Sequence, residues 1–163
     1  PIPQLTLFEG CMEEILEALG IERVNVSDLP FILLDNGYLF ISVNSLNALW
    51  NTNPNYKKLT ELSNSEKEFF DIAIFTTETI EKDSSAHLRF FAPYHGIDED
   101  PVTGSACGPL LLVDNYIDDS FIKIEQGDVL NRKGRVEVKF NASKNELIIT
   151  GNAITMFKGK LVF

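Results

Sequence analysis

The chain has 163 residues, 44% of them hydrophobic and 23% charged, an ordinary globular composition with room for one domain and a sizeable core, unlike that of a disordered chain. Its 14 basic against 24 acidic residues give a net charge of -10, which argues against a nucleic-acid partner, since phosphate binding needs clustered Lys and Arg. Two cysteines, Cys11 and Cys107, make no disulfide framework and suit a reducing, cytoplasmic compartment; no signal-peptide pattern and no apolar run near the roughly 20 residues of a membrane span is present.

Residues 1–8 read as an extended entry, with Ile2, Leu5 and Leu7 apolar. Met12, Ile15, Leu16 and Leu19 follow at helical spacing, and Gly20 marks the stop. Phe31–Leu34 and Tyr38–Val43 are β-rich runs separated by Asp35-Asn36-Gly37, a hairpin signal because Asn and Gly tolerate positive φ. Ser45 can cap a short helix through Trp50. Asn53-Pro54 is expected to open another helix, with Leu59 and Leu62 inward and Ser63-Asn64-Ser65 breaking it. Ile72–Thr77 is a strand, followed by a polar loop from Glu78 to Ser85.

Leu88–Ala92 is the next strand and leads into a loop ending at Gly104-Ser105-Ala106. Leu110–Val113 and Tyr116 are apolar on nearly every side, which predicts a buried helix. Four β-like runs follow: Phe121–Glu125, Arg135–Phe140, Glu146–Thr150 and Ala153–Phe163. Asp118-Asp119 reads as a turn. Short connections between the late strands favour antiparallel pairing. The expectation is an α+β domain over 1–163: a curved, mostly antiparallel sheet wrapped around one central buried helix, with short peripheral helices.

The loop carries three carboxylates in a row, Asp98, Glu99 and Asp100, then small residues, then the apolar helix. Gly104, Ser105 and Ala106 let a ligand approach their backbone, and free N–H groups at a helix N-terminus form an anion site. Asp100 beside such a site is suited to handling a proton. The same string also suits a plain cap, with Asp100 or Thr103 closing the helix end. Cys11, His87 and His95 are too few and too scattered for a metal centre. Arg132, Lys133 and Arg135 read as a basic turn surface, and Trp50 as a packing residue.

Arg89-Phe90-Phe91-Ala92-Pro93, Gly96-Ile97 and Glu99-Asp100-Pro101-Val102-Thr103-Gly104-Ser105-Ala106, with Gln126-Gly127 and Arg132 later, resemble the C-terminal half of the phenazine-biosynthesis F-like family. The resemblance implies a diaminopimelate-epimerase-like fold of two similar halves, each a curved sheet around a helix, with the active site in the cleft between them. It implies a cofactor-independent isomerase moving a proton on a small carboxylic acid, and one domain whose N-terminal half is absent from this chain. Asp100 matches the family's active-site aspartate, Ser105 its substrate-contacting serine, and Gly104 and Ala106 positions whose N–H groups hold a substrate carboxylate. The amides from Gly104 to Cys107 would then bind the acidic group. The family's glutamate acid/base and its histidine in a Cys-Gly-His-Ala-Thr-like string lie in the other half, and neither motif occurs here. The opening Pro1-Ile2-Pro3 fits the interior of a longer protein or a trimmed one. The absent N-terminal domain, or a second copy in a homodimer, would complete the cleft. An inactive association module is the rival reading.

Two features depart from the family pattern. Pro109 lies past the first turn if the helix begins near Thr103, so the helix should start later or kink. Related epimerases place a catalytic cysteine just before Thr-Gly, where this chain has Asp100-Pro101, so Cys107 is expected to be a small buried apolar residue.

Overall fold

The computed structural model describes residues 2–113, 121–141 and 143–160. Tyr116 and Asp118-Asp119 therefore lie outside the described residues. Helix α1 (Met12–Leu19) buries Ile15, Leu16, Ala18 and Leu19 on one face, and Gly20 closes it at φ 68° with its N–H returned to the last turn. In α2 (Leu46–Asn51) the Ser45 hydroxyl accepts from Ala48 N–H at 3.1 Å. Helix α3 (Tyr56–Glu66) differs from expectation at both ends. Asn55, not Asn53, caps it by accepting from Lys58 N–H at 3.0 Å. Ser63, Asn64 and Ser65 do not break it: their side chains donate back to carbonyls of Leu59, Thr60 and Leu62 at 2.9–3.0 Å, which keeps these turn-prone residues inside the helix.

Nine strands form one sheet among the described residues. They are β1 (Leu5–Leu7), β2 (Ile32–Leu34), β3 (Tyr38–Ser42), β4 (Asp71–Thr76), β5 (Ala86–Ala92), β6 (Ile97–Asp100), β7 (Phe121–Gln126), β8 (Gly134–Asn141) and β9 (Glu146–Gly151). The order is β1-β2-β3-β4-β5-β7-β8-β9, with β6 also paired to β5. Only β3–β4 and β5–β7 pair in parallel. The fold is thus α+β with a large, mostly antiparallel sheet. The expected hairpin turns at Gly37, which takes φ 84°. The expected final strand is not formed as far as Lys160: the ladder stops at Gly151, and residues 161–163 lie outside the described set.

Strand alternation sends side chains to two cores. Leu39, Ile41, Ile72, Ile74 and Phe91 meet the apolar faces of α1, α2 and α3. Phe40, Phe75, Leu88, Phe90, Ile122 and Ile124 face the other way, onto helix α4 (Gly104–Val113). That helix buries Ala106, Cys107, Leu110, Leu111 and Val113, and Gly108 lets it press against Ile149 and Leu147 of β9. Pro109 sits inside α4, so the helix does not start later. It begins at Gly104 and carries a proline that cannot donate to the carbonyl one turn back.

Candidate active site

The three adjacent carboxylates part company because β6 is a strand. Successive side chains of a strand point to opposite faces, so Glu99 and Asp100 cannot act as a pair. Glu99 turns to the α1–α3 side and makes a bidentate bond with Arg89 at 2.8 and 2.9 Å. Both side chains are buried, and the guanidinium also donates to the carbonyls of Leu49 and Thr52 at 3.0 and 2.8 Å. This ties β5 and β6 to the end of α2. Glu99 is a structural anion, since every oxygen is taken by Arg89 in a dry setting. Asp98 is exposed.

Asp100 ends β6 half-buried on the α4 side. Its Oδ2 accepts from the Thr103 hydroxyl at 2.7 Å. The Thr103 hydroxyl is therefore spent on Asp100 and does not cap α4. Thr103 still sits at the helix entrance, with its carbonyl accepting from the N–H groups of Ala106 and Cys107, both at 3.1 Å. This narrows the expected anion site. The amides of Ala106 and Cys107 are engaged in the first turn, and both residues are fully buried. The first two N–H groups, of Gly104 and Ser105, have no helical acceptor, and among the described residues nothing else accepts from them.

Ser105 is exposed, and its hydroxyl lies 3.1 Å from the Tyr38 hydroxyl. Tyr38 is held by an edge contact with Phe90, ring centres 5.0 Å apart. Beside Ser105 opens a groove of about 420 Å³, lined on the helix side by Ser105, Gly108 and Pro109 and across from them by Asn36, Glu146 and Ile149. Cys107 is shut away from this groove, and burial, with the Asp100 charge adding to it, pushes its thiol up to about 12. It is the small buried apolar residue expected, and no thiolate is available for chemistry.

Gln126 was expected only as part of a motif, and it proves to organise the loop. Its side chain takes the N–H of Thr103 at 2.9 Å and donates to the Asp100 carbonyl at 2.8 Å and to the Thr103 hydroxyl at 3.0 Å. A sequence signal exists in hindsight: Ile122, Ile124 and Gln126 share one face of β7, so the glutamine is the polar member of an apolar stripe. Next to it, Gly127 takes φ 81°, and a Cβ there would lie 2.6 Å from the Pro101 carbonyl oxygen. Only glycine lets the end of β7 approach the motif loop so closely. Tyr38 had no comparable signal, since a strand tyrosine is ordinary packing.

The remaining sequence candidates fall elsewhere. His87 is fully buried with Nδ1 2.9 Å from Glu125, on the sheet face opposite α4. Its ring also meets Trp50 edge-on at 6.1 Å, so Trp50 does pack, although 44% of it stays exposed. His95 is exposed, 2.9 Å from Asp71. Arg132 and Lys133 are exposed as expected of a turn surface, but Arg135 is drawn into ion pairs with Asp128 and Glu81 at 2.9 and 2.7 Å. No group of three or more His, Cys, Asp and Glu among the described residues is placed to hold a metal ion, and no helix of the described residues is long and apolar enough to cross a membrane.

A family model described as phenazine biosynthesis-like protein matches residues 1–159. An uncharacterised isomerase of Clostridium acetobutylicum is 35% identical over 92% of this chain and 54% of its own length. The trans-2,3-dihydro-3-hydroxyanthranilate isomerase of Pseudomonas fluorescens is 29% identical over 99% of this chain and 57% of its own length. In structure, a PhzF-family phenazine biosynthesis protein of Bacillus anthracis superposes with a TM-score of 0.75 at 24% identity, over 91% of this chain and 53% of that one. A PhzF-family protein of Enterococcus faecalis gives 0.74 at 20% identity, over 100% and 55%. These two similarities speak for the fold alone. The chain spans about half the length of the relatives it matches.

Proposed function

Because the chain belongs to the phenazine biosynthesis-like protein family, we propose that it supplies one half of the active site of a cofactor-independent isomerase acting by proton transfer on a small carboxylic acid. The observation that carries this reading is the coupling of Asp100, through Thr103, to a helix entrance whose first two amides have no acceptor among the described residues. In this reading the N–H groups of Gly104 and Ser105 and the Ser105 hydroxyl hold the substrate carboxylate, with Ala106 and Cys107 shaping the turn from behind. Asp100 holds or shuttles the proton. Fixed donors aimed at developing negative charge lower the cost of an enolate-like state without reorganising during the reaction.

The sheet with α4 on its face forms one of two similar halves, and the glutamate that moves a proton between carbons belongs to the other. That half is either a further domain, as the greater length of the relatives suggests, or a second copy. Ile154, Met156 and Phe157, exposed at 85%, 90% and 85%, support a partner surface, because an apolar run so bare is normally covered. Two unpaired cysteines, Cys11 and Cys107, support a cytoplasmic location. The hydroxyanthranilate isomerase relative makes cyclic amino acids and dienol acids the first substrates to try.

The binding half of the reading is tested by following backbone amide resonances while such acids are added. Gly104 and Ser105 should shift first and most, and the Ser105→Ala variant should weaken binding by about 10-fold, the effect of one lost bond to a charged group. Shifts confined to other parts of the molecule would count against the site.

A further inference from the structure

The network around Asp100 has a direction, and the direction follows from which groups can only donate. Gln126 ends β7 and is 1% exposed. Its Oε1 accepts from the backbone N–H of Thr103 at 2.9 Å, and its Nε2 donates to the backbone carbonyl of Asp100 at 2.8 Å. A backbone N–H can only donate and a carbonyl can only accept. Two independent backbone groups therefore fix the side-chain amide one way round; flipped, it would set donor against donor and acceptor against acceptor. The same Nε2 lies 3.0 Å from the Thr103 hydroxyl oxygen. An amide nitrogen offers no lone pair, so the hydroxyl accepts there and must send its own hydrogen elsewhere. The acceptor in reach is Asp100 Oδ2, at 2.7 Å. The result is a one-way relay: Gln126 Nε2–H to Thr103 Oγ1, then Thr103 Oγ1–H to Asp100 Oδ2.

We propose that this relay divides the work of the Asp100 carboxylate: Oδ2 is held as a permanent acceptor, and Oδ1 is the atom that takes and returns the proton. The inference rests on the reading of Asp100 as the proton-handling group. In the step, a bond to hydrogen in the substrate breaks, its electron pair stays on the substrate, and the proton goes to Oδ1. Return of a proton from Oδ1 to the substrate restores the carboxylate, while the glutamate of the other half moves the proton between carbons, with nothing oxidised or reduced. Placing the proton on Oδ2 instead would set two hydrogens between Oγ1 and Oδ2 unless the hydroxyl turned away. Turned away, it would accept from both Oδ2–H and Nε2–H and leave its own hydrogen with no acceptor among the described residues. Thr103 and Gln126 are thus positioning residues. They act through Asp100 and need not touch the substrate.

The test combines a signal from the relay itself with a kinetic one. In the protein the Thr103 hydroxyl hydrogen should give a slowly exchanging NMR resonance, coupled across the hydrogen bond to the Asp100 carboxyl carbon. Gln126→Glu is close to isosteric but has no amide donor, so the hydroxyl is shared between two carboxylates and that coupling should fall by half or more. In the complete enzyme, Gln126→Glu and Thr103→Val should each lower kcat roughly 10- to 100-fold, the worth of a hydrogen bond to a charged group, with KM within about twofold. Thr103→Ser should recover most of the rate. A hydroxyl hydrogen without coupling to Asp100, a coupling unchanged in Gln126→Glu, or a Thr103→Val enzyme of full kcat would each overturn the proposal. If the coupling were present and no acid were isomerised by the complete enzyme, the task given to Oδ1 would fall with the functional reading while the oriented relay stood.

Discussion

At the scale of single residues, small differences of placement separate chemistry from structure. Asp98, Glu99 and Asp100 are neighbours in the chain, yet one is solvated, one is locked to Arg89 and one is left beside the open end of α4. Cys107 is two residues from Ser105, but the helix turns it into the core while Ser105 looks out. Burial, then the nearby Asp100 charge, pushes the Cys107 thiol up to about 12, and at any ordinary pH it is protonated. Native protein treated with iodoacetamide at pH 8 should therefore leave Cys107 unmodified, as mass spectrometry of its tryptic peptide would show. Cys107→Ala should keep full activity and lose about 1 kcal/mol of stability through lost packing. Rapid alkylation in the folded state would contradict both the burial and the thiol-independent site.

At the scale of elements, β7 couples the two faces of the sheet. Its even positions, Ile122, Ile124 and Gln126, face α4 and the site; its odd position Glu125 faces away and anchors the 78–85 loop through the N–H groups of Ile80 and Glu81 at 2.9 and 2.7 Å. Burial pushes the Glu125 carboxyl up, but these two N–H groups and the His87 ring outweigh it and hold the carboxyl below the usual glutamate value. A depressed carboxyl adds stability that is complete above the unfolded value, about 4.3, and is lost as the pH falls through the lower folded value. Urea unfolding followed between pH 6 and pH 2 should show this loss as part of the acid limb. Glu125→Gln should flatten that part and cost about 2 kcal/mol at pH 7, since its bonds then lack a charged acceptor. An acid limb unchanged by the substitution would place the acid sensitivity elsewhere.

Much of this element-level order is legible in the sequence, because periodicity and turn chemistry act locally. The α1 stripe, the Gly37 turn, the Ser45 cap and the late antiparallel strands all follow from residues within a few positions of one another. What the sequence does not disclose depends on distant partners. Ser63–Ser65 read as a break because they are turn-prone, yet their side chains bond back along a helix that is held in place by the packing of Leu59, Tyr56 and Leu62 against the core. Strand β6 is hidden in an acidic loop, because its pairing with β5 and the Arg89–Glu99 bridge are tertiary. The candidate site residues Asp100, Gly104 and Ser105 stand out by their motif, whereas Tyr38 and Gln126 reach the candidate site across 67 and 23 positions of chain to Ser105 and Thr103.

At the scale of the whole molecule, the described residues build a buried core on each face of the sheet and leave an apolar tail exposed. The tail beyond β9 runs out with Ile154, Met156 and Phe157 bare, and the groove beside Ser105 is open. In the reading proposed above, both features belong to the contact with the other half. Multi-angle light scattering of this chain alone should accordingly show self-association, and the triple substitution of Ile154, Met156 and Phe157 by serine should return it to a monomer with the sheet intact by circular dichroism. A clean monomer at high concentration would remove the tail from the contact.

The claim on which the account turns is that Asp100 handles the proton of an isomerisation. Turnover of a panel of dienol and cyclic amino acids by the complete enzyme in D₂O, followed by mass spectrometry, addresses it directly. The native enzyme should yield an isomerised product carrying one solvent deuterium, and Asp100→Asn should slow its formation by roughly 100- to 10,000-fold with the fold unchanged. An Asp100→Asn enzyme that forms the same deuterated product at the native rate would contradict it.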